Sequence, residues 1–420
     1  MGSDPIVIVG GGQTAARAAQ ALRDAGDAGD IVVVSEELHR PYERPPLSKA
    51  VLRDAAEPAL AVLDEAAFDA CRITWHGGVR VERLDVDQRC VHLSDGTSLR
   101  YRQCLLATGG RARALDGLPA GAPRVHYLRT LDDARRLRSV LRAGVRLAVV
   151  GGGFLGLEAA ASVQQAGGQA IVVESAPALL ARFLPPEVSR WLVDDVQARG
   201  IRLCLGQSLR SVDLGAQGVQ LHLGNGDLVE ADEVLVAIGL QPEVAIARDA
   251  GLQVDAANGG IAVDGDCRTS DPSVFAAGDC ASQFNGHLGA TVRLESWQNA
   301  NEQARVAACA MVGAERPAQA YPWFWTDQGP HNLQMLGTSA PDLAYVRRGD
   351  PAEANKAVWI GHRNGVPVHG IALNAGGDLR ALRALFDAAA PIDPLAFADP
   401  ATALRPWVKG LLAQAAVTSS

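Results

Sequence analysis

Paired cysteines are missing from this chain. Its seven cysteines (Cys71, Cys90, Cys104, Cys204, Cys267, Cys280 and Cys309) are odd in number, dispersed, and nowhere in a CxxC or zinc-like spacing. A disulfide framework and a metal knot are therefore excluded, and a reducing, cytoplasmic setting is expected. Long apolar runs are missing too, since none approaches the ~18 residues of a membrane helix. Met1 to Asp4 carries an acid where a signal peptide needs a basic stretch, and Ile6 stands where a myristoylated chain needs Ser or Thr. Neither a secretion signal nor N-terminal myristoylation is expected. Basic surplus is the third absence: a net charge of −8 and a pI near 5.6 speak against a nucleic-acid binder.

What the chain does have is apolar content and glycine. Its 420 residues, 48% of them hydrophobic, suffice for two or three domains with sizeable cores. Glycine, at 44 residues, exceeds the average of about 7%, which points to many tight turns or close backbone approaches to a ligand.

The first informative stretch is Ile6-Val7-Ile8-Val9, an apolar run with the look of a buried parallel strand. Gly10-Gly11-Gly12-Gln13-Thr14-Ala15 follows and fits G-x-G-x-x-G/A, after which Ala15, Ala18, Ala19 and Leu22 recur at helical spacing. Gly10 permits the tight turn, Gly12 lets a pyrophosphate approach the backbone, and small Ala15 lets the helix pack closely on the strand. A second apolar run, Ile31 to Val34, ends near Glu36, which lies 21 residues beyond Ala15 and is placed to bond an adenosine ribose.

The device repeats. Leu147 to Val150 leads into Gly151-Gly152-Gly153-Phe154-Leu155-Gly156, a helical stretch follows through Val163, and the strand Ile171 to Val173 ends at Glu174. The motifs begin 141 residues apart, the separation of one domain from another. Two dinucleotide sites in one chain point to electron traffic between a nicotinamide and a flavin. A carboxylate at Glu174 accepts bonds from a ribose 2′-OH and repels a 2′-phosphate, and no arginine directly follows it, so NADH is expected over NADPH.

Two further stretches carry a resemblance: Cys104 to Gly109, a strand ending in Ala107-Thr108-Gly109, and Ser273 to Asp279, a strand ending in Gly278-Asp279. With both glycine motifs, the chain resembles the two-dinucleotide-domain flavoprotein reductases of the glutathione-reductase fold. The resemblance implies an α/β architecture of two Rossmann-like domains plus a C-terminal α+β domain. It assigns the first motif to FAD, the second to NAD, and the ribityl chain to Asp279. Disulfide reductases of this fold carry a redox cysteine pair, but the segment Arg40-Pro41-Tyr42-Glu43-Arg44-Pro45-Pro46-Leu47-Ser48-Lys49 has none. That segment is similar instead to the ferredoxin reductases serving Rieske-type aromatic-ring dioxygenases and bacterial P450 systems. Glu295 to Ala300 and Pro322 to Gln328 agree with it.

From this likeness follow the expected roles. FAD is held by Gly10, Gly12, Ala15, Glu36, Arg44, Lys49, Ala107, Thr108, Gly109, Arg111, Asp279 and Trp297. NAD is held by Gly151, Gly153, Gly156, Glu158 and Glu174. Lys49 lies near flavin N5, Glu158 pairs with it from the first turn of the second-motif helix, and Trp325 borders the site for a [2Fe–2S] ferredoxin. Hydride passes from NADH to the flavin, and electrons leave singly through ferredoxin to a terminal oxygenase.

Plainer readings stand beside these. Lys49 fits an ordinary surface lysine, and Glu158 fits helix-dipole complementation. Trp323 and Trp325 alternate, so on a strand they share a face and fit core packing, as does Trp297. His39 and His331 read as surface or loop residues. Thr130 to Asp133 opens a helix with a capping-box pattern, and Arg135, Arg136, Arg138, Arg142 and Arg146 read either as a solvated face or as a surface steering an acidic ferredoxin.

The expected layout is a FAD domain at 1–112 and 243–319, a NAD domain at 113–242, and a C-terminal interface domain at 320–420 with Ala416 to Ser420 frayed. The leading function is an NADH:ferredoxin reductase of a ring-hydroxylating dioxygenase, with no metal of its own. Alternatives are a ferredoxin or rubredoxin reductase of a P450 or alkane hydroxylase system, a flavoprotein reducing quinone or oxygen directly, and a redox flavoprotein like apoptosis-inducing factor.

Overall fold

Short β-branched runs form the central strands of two parallel sheets. The structure is a computed structural model and describes residues 4–418. Contacts divide the chain into two units. One takes the chain up to Glu43 with Ala59–Arg111 and Leu240–Ala320; the other takes Arg44–Pro58, Ala112–Gly239 and the chain from Tyr321 onward.

The first unit is built on a five-stranded parallel sheet in the order Val274–Ala276, Gln103–Leu106, Ile6–Val9, Ile31–Ser35, Ile73–Gly77. All residues of Ile6–Val9 and Ile31–Ser35 are buried, as strands covered on both faces require. The first-motif helix, Gln13–Asp24, buries Ala15, Ala18, Ala19 and Leu22. Its small residues let the helix Trp297–Val312 pack closely through Ala304, Ala307 and Ala308. Ser296 caps that second helix by accepting from the Asn299 amide, and Gly313 ends it at φ 71°.

The second unit carries another five-stranded parallel sheet, ordered Arg202–Leu205, Gln169–Glu174, Arg146–Val150, Glu233–Val236, Val125–Tyr127. The second-motif helix, Phe154–Gln165, is buried almost all round from Gly156 to Val163. An antiparallel five-stranded sheet follows, ordered Trp323–Gln328, His331–Gly337, Val366–Leu373, Lys356–Arg363, Ala344–Asp350. The helix Gly376–Asp387 covers it with Leu379, Leu382, Leu385 and Phe386. The chain is thus α/β, with two Rossmann-like halves and a C-terminal α+β portion.

Several expectations change in detail. Thr130 does form a capping box with Asp133, but the helix it opens ends at Val140 and Arg146 begins a strand. Arg135 pairs with Glu57 at 2.8 Å, Arg138 donates to the Asp54 and Ala55 carbonyls, and Arg146 pairs with Asp232 at 2.9 Å. These arginines therefore do not form one free basic face. His331 is not a surface residue: it is buried on a strand and its Nε2 lies 2.9 Å from the Asp195 carboxylate. The C-terminal helix runs from Leu404 to Thr418, and Ser419 and Ser420, where fraying was expected, lie outside the described residues. Among the described residues no helix is long and apolar enough to cross a membrane, and no group of His, Cys, Asp and Glu converges to hold a metal.

Candidate functional site

Each parallel sheet ends in the same turn. Gly10 and Gly151 both adopt φ +111°, which L side chains rarely tolerate. A Cβ on Gly10 would lie 2.2 Å from the Ala107 carbonyl oxygen, and one on Gly151 would lie 2.4 Å from that of Ala237. Each helix then begins at a glycine N-cap, Gly12 or Gly153, with no side-chain cap and no acid in its first turn. Their amides and dipole ends are left for an anion. At Gly153 an added Cβ would meet open space, so this glycine answers to no neighbour in the chain and fits close approach of a pyrophosphate. Both turns therefore suit a dinucleotide.

In the first unit, strand order gathers the expected flavin residues at the carboxyl edge of the sheet. Gly10 and Gly12 follow the central strand, Ala107-Thr108-Gly109 follows its neighbour Gln103–Leu106, and Gly278-Asp279 follows the next strand out. A Cβ on Gly278 would lie 2.4 Å from Thr14 Oγ1, which shows how tightly the Gly-Asp turn abuts the first-motif helix. Thr108 Oγ1 donates to the Glu243 carbonyl at 2.6 Å, fixing the Ala-Thr-Gly turn. Glu36 is exposed just past Ser35, Arg111 pairs with Glu243 at 3.4 Å, and Trp297 is the first residue of its helix.

In the second unit, the Glu174 carboxylate accepts from the amides of Gly152 at 2.6 Å and Ala176 at 2.7 Å, which anchors its charge at the strand end beside the glycine turn. Glu158 is the fifth residue of its helix, so it stands in the second turn rather than the first and is 7% exposed. Dipole complementation at a helix start therefore does not account for it. A buried carboxylate costs several kcal/mol unless it is paired and hydrogen-bonded. Here both oxygens are satisfied. Oε2 receives Ser48 Oγ at 2.6 Å and Lys49 Nζ at 2.9 Å. Oε1 receives Thr326 Oγ1 at 2.6 Å and the Asp327 amide at 3.3 Å.

Lys49 is half-buried and also donates to the Pro45 carbonyl at 3.1 Å, with the Asp327 carboxylate 3.9 Å away. It is not an ordinary solvated lysine. Ser162 Oγ donates to the Ser48 carbonyl at 2.8 Å and ties this turn to the second-motif helix. Arg44, just before it, donates to the Arg129 carbonyl at 2.5 Å. Trp323 and Trp325 share a strand face and stack 5.1 Å apart at 20°. On the opposite face Phe324 packs on Phe154 at 4.6 Å.

Sequence pattern does not mark Ser48, Ser162, Thr326 or Asp327. Glu158 meets its hydroxyl partners across 110 and 168 residues, and isolated hydroxyls carry no periodic signature. One signal was available: Thr326 and Gln328 alternate with Phe324, on the face where Phe324 packs on Phe154.

All seven cysteines are free. Burial pushes the thiols of Cys104 and Cys280 well above the ordinary value and that of Cys267 up to about 12, so these three are held as inert thiols.

Residues 4–304 match the pyridine nucleotide-disulphide oxidoreductase family, and residues 323–408 match the reductase C-terminal domain. The chain is 42% identical over 410 residues to the ferredoxin–NAD(+) reductase component of the anthranilate 1,2-dioxygenase system of Burkholderia cepacia, covering 97% of this chain and 100% of that one. Among solved structures it is similar to putidaredoxin reductase in its covalent complex with putidaredoxin (TM-score 0.92, 32% identity, 99% of this chain and 100% of that one). It is also similar to the ferredoxin reductase for the CYP199A2 system from Rhodopseudomonas palustris (TM-score 0.90, 36% identity, 96% of this chain and 99% of that one). Two glycine turns of one geometry, a cysteine-free Lys49 segment and these end-to-end matches lead to one statement: the chain belongs to the pyridine nucleotide-disulphide oxidoreductase family, in the branch that carries the reductase C-terminal domain.

Proposed function

We propose that this oxidoreductase is an NADH:ferredoxin reductase whose acceptor is a [2Fe–2S] ferredoxin feeding a ring-hydroxylating dioxygenase in the cytoplasm. FAD and NAD(H) are the cofactors of the family. Flavin chemistry joins two-electron donation by a nicotinamide to one-electron delivery. The layout that goes with this proposal is a FAD domain at 1–112 and 243–319, a NAD domain at 113–242 and a C-terminal domain from 320.

The observation that carries this reading is the junction at Lys49. Where relatives that reduce disulfides hold a cysteine pair, this chain holds a lysine bound to a buried glutamate. No thiol relay is present to receive electrons, which favours an external carrier.

In this reading Gly10, Gly12 and Ala15 accommodate the FAD pyrophosphate and Glu36 its ribose, while Ala107, Thr108, Gly109 and Asp279 line the rest of the flavin chain. Arg44, Arg111 and Trp297 add flavin contacts. Gly151, Gly153 and Gly156 accommodate the NAD pyrophosphate. Glu174, held at the strand end by two backbone amides, selects a ribose 2′-OH over a 2′-phosphate. Lys49 presents positive charge to the reduced flavin, and Glu158 holds Lys49 in place without giving up a proton. Trp325 borders the ferredoxin surface.

A P450-linked ferredoxin is the second reading, favoured by the structural likeness to reductases of such systems. The test is NADH-dependent reduction of cytochrome c with and without ferredoxin. The rate is expected to require ferredoxin, and equal rates without it contradict the proposal. Parallel assays with dioxygenase and P450 ferredoxins separate the two readings.

A further inference from the structure

The Glu158 carboxylate receives two donors on each oxygen, from the Pro45–Ser48 turn, from Lys49 and from the strand Trp323–Gln328. On the Oε1 side the one short contact is Thr326 Oγ1, at 2.6 Å, and Thr326 is fully buried. A hydroxyl has one proton to give. Which way it points is decided by Gln328, also fully buried, whose Nε2 donates to Thr326 Oγ1 at 2.7 Å and reaches the Phe154 carbonyl at 3.5 Å. With the amide nitrogen between two acceptors, Gln328 is oriented. Reversing the amide would set its one oxygen against the Phe154 carbonyl oxygen and against a hydroxyl whose single proton goes to Glu158. The Thr326 proton is thereby directed at Glu158.

We propose that Thr326, oriented by Gln328, is a positioning residue that locks the Glu158 carboxylate and through it aims Lys49. This rests on the reading of Lys49 and Glu158 as part of the hydride-transfer site. Lys49 is held by three groups, Glu158, the Pro45 carbonyl and, more distantly, Asp327. Of these, Glu158 is the nearer carboxylate, and it is fixed by Thr326 from the C-terminal strand, which also carries Asp327. Thr326 directly follows Trp325, whose indole lies on the other face of that strand. One buried hydroxyl therefore sets both the position of the lysine and the seating of the strand that carries Trp325.

The test is anaerobic flavin reduction by NADH in the holoenzyme, together with thermal unfolding, for T326V, T326S, E158Q and the T326V/E158Q double variant. Hydrogen bonds to a charged group contribute about 1.5–3 kcal/mol, so T326V is expected to slow flavin reduction about tenfold or more with KM for NADH unchanged. T326S keeps the hydroxyl and is expected to restore the rate to within about twofold of wild type, a rescue that loss of packing alone would not give. In the E158Q background T326V is expected to slow flavin reduction much less than it does in wild type, because both substitutions act through the Glu158–Lys49 contact. Additivity in the rates, a T326S variant as slow as T326V, or a T326V variant as fast as wild type overturns the proposal. An E158Q variant that reduces its flavin at the wild-type rate overturns the reading of the junction as a hydride-transfer site, and the proposal with it.

Discussion

The two glycine turns are near copies, and they diverge one helical turn later. Gly10 and Gly151 share a φ of +111° and crowd a carbonyl from the adjacent strand in the same way. Seven residues on, the first helix carries Arg17 and the second carries Glu158. Arg17 is half-buried and, among the described residues, bonds within its own helix, at Gln20 Oε1. Glu158 is buried and gathers two other segments of the chain. A second difference sits earlier. Ala15 is accommodated at 0% exposure in the first copy, whereas a Cβ on Gly156 would lie 2.1 Å from the Gly151 carbonyl oxygen. The turn is thus a generic phosphate device, and function is added by what the following helix is made to face.

The largest expected effect breaks the comparison at its widest point. Glu158→Leu strands Lys49, Ser48 and Thr326 and is expected to cost about 3–5 kcal/mol in urea unfolding. Arg17→Leu at the corresponding place is expected to stay within about 0.5 kcal/mol.

That contrast is best measured near neutral pH, because acid adds a separate loss. Burial pushes His369 down to about 4, as a neutral ring hydrogen-bonded to the Tyr345 hydroxyl. Its folded value lies below the unfolded one of about 6.5, so the unfolded chain takes up the proton first. Stability is then full above pH about 6.5 and falls towards pH 4, by about 3 kcal/mol in all. Unfolding curves between pH 7.5 and 4.5 should flatten in His369→Gln.

Next comes the third small residue. Gly156→Ala forces the second-motif helix away from its strand and is expected to cost about 1–3 kcal/mol and to raise KM for NADH while FAD content is retained. Smaller than this is Ala15→Gly in the first copy, about 1 kcal/mol of helix stability with both cofactors still bound. Equal penalties for these two would show that the helices pack alike after all.

Both turns, the Ala-Thr-Gly and Gly-Asp strand ends and the α/β architecture were legible because each is a local pattern read within one strand–turn–helix unit. Gly278-Asp279 returning beside the first motif was legible only through the resemblance, since 264 residues separate Gly278 from Thr14 in the sequence. The Lys49–Glu158 pair was likewise carried by resemblance, and its environment was not readable at all. Ser48 and Thr326 look like ordinary hydroxyl residues until three segments fold together around one carboxylate. His331 misled for the same reason, as its partner Asp195 lies 136 residues away.

The central claim is that electrons enter as a pair from NADH and leave singly to an iron–sulfur protein, with no thiol between. Its most direct measurement is an anaerobic titration of a [2Fe–2S] ferredoxin with NADH and catalytic enzyme, followed by absorbance. Two ferredoxins reduced per NADH is the expected stoichiometry, with NADPH far less effective. NADH oxidation that proceeds without reducing ferredoxin would contradict the claim.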